Sequence, residues 1–90
     1  MSPHDEEKSK LLKRLTRIRG QVEALRRALD ANVGTAGVVH QAIACRGALD
    51  GFIAEVIEDY IRERLVDAKD AAAVAAAAEE LIDIVHSYLT

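Results

Sequence analysis

Leu11, Leu15, Ile18, Val22, Leu25 and Leu29 follow one another at spacings of four, three, four, three and four. Apolar residues at those intervals share one stripe of an α-helix, and a stripe kept over nearly three heptads is a seam made for another helix. Nothing in the other positions of the 90-residue chain competes with helix packing. There is no alternating β-branched run, and Asp50-Gly51 sits inside a long helical pattern, where it reads as a packing glycine rather than a hairpin turn. The pattern predicts an all-α fold: a three-helix protomer with helix 1 about 5–31, helix 2 about 35–66 and helix 3 about 70–89, forming a single domain over 1–90.

The helix ends carry their own signals. Asp5-Glu6-Glu7 places negative charge at the start of helix 1, where it suits the helix dipole. Gly20 lies inside that helix and costs roughly 1 kcal/mol against Ala, so it predicts the close approach of another backbone. Asn32-Val33-Gly34 supplies left-handed terminators, and Thr35 follows as an N-cap candidate. Helix 2 is apolar round more than a narrow stripe (Val39, Ile43, Leu49, Phe52, Ile53, Val56, Ile57, Tyr60, Ile61, Leu65), with small residues midway at Ala42, Ala44, Gly47, Ala48 and Gly51. Some thirty residues make a rod of roughly 45 Å. A rod that long outruns the cover its own chain can supply, so two copies are expected to pack antiparallel near Gly47–Gly51. In helix 3 the run from Ala71 to Ala78 is strongly helix-forming, and Val74, Ala78, Leu81, Val85 and Leu89 keep helical spacing.

Charge is distributed unevenly. The formal net charge is −3, but residues 8–27 hold eight of the twelve basic residues and a single acid, Glu23. Advancing about 100° per residue puts Lys10, Arg14, Arg17 and Gln21 on one side of helix 1 with Lys13 at its edge, and Lys8, Arg19 and Arg26 on the other flank. Such a stripe is either a solvated helix face or a surface for an anionic polymer. In the second case each phosphate neutralised releases counterions, and Gln21 can donate and accept at a base edge. A symmetric dimer or tetramer would repeat the stripe for a two-fold symmetric duplex site, although no helix-turn-helix spacing is visible. The single cysteine excludes an intrachain disulfide framework and a zinc finger. No stretch reaches 18 uninterrupted apolar residues and the acidic first residues do not form a signal peptide, so a cytoplasmic protein with no membrane role is expected. No nucleophile–base pairing, carboxylate pair or glycine-rich phosphate loop argues for an enzyme.

Two blocks carry a family resemblance. Arg14-Leu15-Thr16-Arg17-Ile18-Arg19-Gly20-Gln21-Val22-Glu23-Ala24-Leu25 resembles the R-hxR-IxGQhxAL signature of the copper-, nickel/cobalt- and formaldehyde-responsive repressors, the CsoR/RcnR/FrmR family. Gln41-Ala42-Ile43-Ala44-Cys45-Arg46-Gly47-Ala48-Leu49-Asp50-Gly51-Phe52 resembles that family's second block. The likeness runs from about Glu6 to Leu89. It implies a transcriptional repressor of three helices per protomer, an antiparallel homodimer assembling into a flat tetramer, and binding to double-stranded operator DNA without a helix-turn-helix. Arg14 and Arg17 match positions where the family places basic residues for DNA. Arg46 matches another basic position, or else pairs with Asp50 at i+4.

The resemblance also implies an effector site joining a cysteine at the start of helix 2 to His and Cys or His residues near the end of helix 2 of the other protomer. The matching positions here are Thr35, Tyr60 and Arg64. Threonine and un-ionised tyrosine are poor partners for copper(I) or nickel, and arginine has no lone pair to give. Ala54-Glu55-Val56-Ile57-Glu58 and Ile61-Arg62-Glu63 are similar to the formaldehyde-responsive branch, yet its reactive thiol is missing. Weak metal candidates are His4, near the N-terminus, with His40 and Cys45; the last two stand five apart and about 140° round one helix, too far to chelate together. Cys45 otherwise reads as a small buried packing residue, His40 as a surface or interface polar residue, and His86 as a helix-end histidine. The set Thr35, Tyr60 and Arg64 is rich in donors and suits an anion or a small polar metabolite, unless sensing is lost and Arg64 pairs with an acid such as Asp67 or with the partner chain. The competing functional reading is a helical homo-oligomeric interaction module with no DNA role.

Overall fold

The computed structural model describes the backbone of residues 3–90 and the side chains of residues 5–90, so the His4 ligand expectation lies outside the described side chains. Three α-helices account for most of the chain: α1 (Pro3–Asp30), α2 (Thr35–Ile61) and α3 (Ala71–Leu89). No strand occurs among the described residues. Among the described residues no helix is long and apolar enough to cross a membrane. The chain divides into two compact units, one ending at Val56 and the other spanning Ile57–Thr90.

In the first unit α1 and α2 are joined by a short turn whose chemistry is legible. Asn32 takes φ 55° and Gly34 φ 95°. The Val33 amide donates to the Ala28 carbonyl (3.3 Å) and the Asn32 amide to the Leu29 carbonyl (3.2 Å). That pair of bonds, with Asn32 left-handed between them, is a Schellman ending. The N-cap expectation for Thr35 is off by one residue. The Gly34 carbonyl accepts the first helical bond, from the Val38 amide at 3.2 Å, so glycine occupies the cap and Thr35 is the first residue inside α2.

Arg14 meets Gly51 and Glu55 across this unit. Arg14 lies sixteen residues before Asp30, and Gly51 lies sixteen after Thr35. The helices therefore run back beside one another, and the contact sits roughly 24 Å along each from the turn. The register of the α1 seam differs from the sequence expectation. Ile18 is buried and Leu11, Arg14, Gln21, Leu25 and Ala28 are half-buried, whereas Leu15, Val22 and Leu29 are exposed. Both sets keep three- and four-residue spacing. The inward one is rotated toward Arg14 and Gln21, which leaves an apolar stripe at Leu15, Val22 and Leu29 uncovered. Full burial of Ile18 contributes about 1.5–3 kcal/mol. Within this chain a Cβ placed at Gly20 would meet nothing within 4 Å. The same is true of Gly47.

In the second unit the end of α2 loosens into one π-helical turn, Arg62–Val66, closed by the Asp67 amide donating to the Arg62 carbonyl at 2.9 Å. The expected helix to residue 66 is thus continuous, but its last turn is wider. Asp70 caps α3, accepting from the Ala73 amide at 2.7 Å, a cap that contributes about 1 kcal/mol. The covered side of α3 is Ala77, Ala78, Leu81 and Ile84, while Ile82 and Leu89 stay open. Ala77 is fully buried.

Candidate nucleic-acid interface and sensor positions

Lys10, Lys13, Arg14 and Arg17 line a shallow cleft of about 210 Å³ together with Glu55 of α2. The helical spacing explains the grouping: three- and four-residue steps carry all four cations to one flank of α1. Three of them are exposed, and Arg14 is drawn inward. Its Nε donates to Glu55 Oε2 at 2.8 Å. The four cations face a single carboxylate, so the cleft keeps a net positive charge and opens to solvent.

The other residues expected to serve DNA lie off this cleft. Arg19 and Arg46 are exposed. Gln21 is half-buried, and its Oε1 is shut from solvent with no hydrogen-bond partner in this chain. Gln21 therefore does not offer an open acceptor on the cationic flank, contrary to the base-reading expectation. It joins the inner face because the seam turned toward it.

Tyr60 and Arg64 come together in the second unit, in a cluster that includes Glu80 of α3. The Tyr60 hydroxyl donates to the Ala77 carbonyl at 3.0 Å. The Arg64 guanidinium lies 5.4 Å from the Tyr60 ring centroid and 3.6 Å from Glu80 Oε2. Asp67 is not the acid that the ion pair records for Arg64; Glu80 is. Loss of hydration, followed by the Glu80 carboxylate, raises the Tyr60 pKa above its ordinary value, with Arg64 pulling the other way. The phenol thus keeps its proton at neutral pH and remains a donor.

Thr35 belongs to the first unit and borders a hollow of about 360 Å³ beside the α1–α2 turn, shared with Leu29, Val33, Val38 and Val39. Among the described residues no three His, Cys, Asp or Glu side chains are grouped to hold a metal. The donors at Thr35, Tyr60 and Arg64 do not fit copper(I) or nickel. Cys45 is buried and His40 is exposed, and His86 occupies the last turn of α3, where its carbonyl accepts from the Thr90 amide and hydroxyl.

Residues 7–87 match the family model described as metal-sensitive transcriptional repressor. The chain belongs to that family. It is 35% identical to the transcriptional repressor RcnR of Salmonella paratyphi B over 89 residues, 99% of each chain. An uncharacterized protein in the bioA 5′ region of Serratia marcescens shares 44% identity over 68 residues, covering 76% of this chain and 75% of that one. Among solved structures, a variant of the formaldehyde-responsive regulator FrmR from Salmonella enterica serovar Typhimurium matches with a TM-score of 0.85 at 35% identity, over 97% of each chain. The matched family is thus metal-sensitive by its description, RcnR is a transcriptional repressor, and the FrmR variant, a formaldehyde-responsive regulator, shares this chain's fold.

Sequence reasoning grouped the cleft cations but missed Gly51 and Glu55 as the residues that meet Arg14, and Glu80 as the partner of Arg64. The four-residue spacing of Gly51 and Glu55 was a readable signal once Arg14 was known to face α2. Glu80 gave no signal, because its pairing spans sixteen positions.

Proposed function

We propose that this repressor grips the phosphates of double-stranded operator DNA with the Lys10–Lys13–Arg14–Arg17 cleft. The observation that carries the reading is four cations gathered round one opening against a single acid. Phosphate neutralisation by such a group supplies affinity through counterion release, without base contacts. The exposed stripe of Leu15, Val22 and Leu29 in the first unit supports a homodimer, or the homotetramer built from it, because an apolar seam of that length is a helix-packing surface. A two-fold assembly presents the cleft twice to a two-fold symmetric site.

The effector is not copper(I), nickel or formaldehyde acting through the family's thiol-based site. Thr35, Tyr60 and Arg64 stand at those positions, and Tyr60 and Arg64 are engaged with α3. We assign the effector to a small anion that competes with Glu80 for Arg64. Arg64 is about half exposed, and its contact with Glu80 is a loose 3.6 Å.

Fluorescence anisotropy on duplex DNA from upstream of the chain's own gene tests both parts. The complex should weaken steeply with salt, survive copper(I), nickel and formaldehyde, and be released by a carboxylate or phosphate anion at constant ionic strength. Binding that is absent or indifferent to salt would leave the interaction-module reading in its place. Release by a metal at equimolar concentration would overturn the effector assignment.

A further inference from the structure

We propose that Gly51 and Glu55, one turn apart on α2, form a seat that sets the Arg14 guanidinium for a DNA phosphate. The inference rests on the DNA reading above and concerns positioning residues within it. Glu55 Oε2 accepts from Nε of Arg14 at 2.8 Å. That side-on pairing occupies one of five guanidinium N–H groups and leaves the two terminal nitrogens for another acceptor. Gly51 supplies the room. A Cβ added there would fall 2.6 Å from Nη1 of Arg14 and 3.7 Å from Cζ. No other atoms come within 4 Å of that Cβ, so the glycine is open toward this one side chain.

Residues at i and i+4 share a helix face, so the vacant position and the carboxylate lie in line under the same arginine. A guanidinium on a long side chain has many rotamers. Holding it by Nε and against bare backbone removes most of that freedom before DNA arrives, which favours binding. The rest of the cleft shows why Arg14 needs this and its neighbours do not. Lys10, Lys13 and Arg17 are exposed, whereas the Arg14 side chain is 40% exposed and would follow α2 wherever α2 pushed it.

The test uses the full chain, the upstream duplex and four variants. Arg14→Ala fixes the scale: it should cost roughly ten-fold in affinity and lower the salt slope by about one. Gly51→Ala should lose most of that affinity while its thermal midpoint stays level or rises, since alanine is the better helix former and only a side-chain end must move. In the Arg14→Ala background, Gly51→Ala should add nothing. Glu55→Ala should weaken operator binding several-fold despite removing a negative charge, and Glu55→Gln should recover much of it, because the amide oxygen still accepts from Nε. In the free protein, the Arg14 Nε–H nuclear magnetic resonance signal should be protected from exchange, lost in Glu55→Ala and kept in Glu55→Gln. If Gly51→Ala changes the sedimentation coefficient, the Glu55 pair and the Nε–H signal decide. Native or tighter binding by Glu55→Ala, with Arg14→Ala still weak, overturns the seat. If Arg14→Ala itself leaves affinity and salt slope untouched, the DNA reading has failed instead.

Discussion

The two units each hold an arginine beside a glutamate, and they use the pair in opposite ways. In the first, Arg14 meets Glu55 at 2.8 Å among three further cations, so one carboxylate cannot neutralise the site. In the second, Arg64 meets Glu80 at 3.6 Å over the Tyr60 ring, with one acid for one base and a phenol that has already found its carbonyl. The first arrangement has positive charge in excess of its acid, and the second balances its one cation with one acid at a looser distance. Residue identity alone would not separate them. The neighbours do, through their number, sign and distance.

The largest effect should come from stripping the first site and sparing the second. Arg14→Ala with Arg17→Ala is expected to reduce operator affinity by about two orders of magnitude and to flatten the salt dependence, while Arg64→Ala leaves both unchanged in the same anisotropy assay. Equal losses from the two would erase the contrast. Next in size, Tyr60→Phe removes the donor to the Ala77 carbonyl. Calorimetry should show a lower thermal midpoint, and the anisotropy assay should show operator affinity unchanged.

A smaller change is expected from the ion pair. Arg64 and Glu80 are both about half exposed, so a double-mutant cycle between Arg64→Met and Glu80→Gln should give a coupling of about 0.5 kcal/mol that fades in high salt. The smallest effect lies at alkaline pH. The folded state holds the Tyr60 proton more tightly than the unfolded state does. Its contribution is complete below the ordinary tyrosine pKa, about 10, and is lost as pH rises through the elevated folded value. Thermal midpoints from pH 8 to 11 should therefore fall more in the native chain than in Tyr60→Phe once pH passes about 10.

Much of this could be read from the residues. Leucine spacing, the Asn32–Gly34 terminators and the alanine run before Leu81 predicted three helices with ends close to those observed, because each is a local signal. The cationic flank was legible for the same reason. The rotation of the α1 seam was not. Leu15 with Val22 and Arg14 with Gln21 are adjacent positions on the same heptad, and periodicity cannot say which half turns inward when an acid on another helix draws an arginine in. The widened turn at Arg62–Val66 has no glycine or proline to announce it. The pairing of Arg64 with Glu80 needs the fold before it can be seen.

The burial of Cys45 has a consequence for what this regulator can register. It is the chain's sole thiol, and the neighbouring side chains leave it 7% exposed. An alkylating or oxidising burst would titrate accessible sulfhydryls elsewhere in the cell first, and a sulfur walled in by packing reacts on the timescale of local opening. Alkylation or oxidation of Cys45 therefore waits on that opening rather than on the arrival of the reagent.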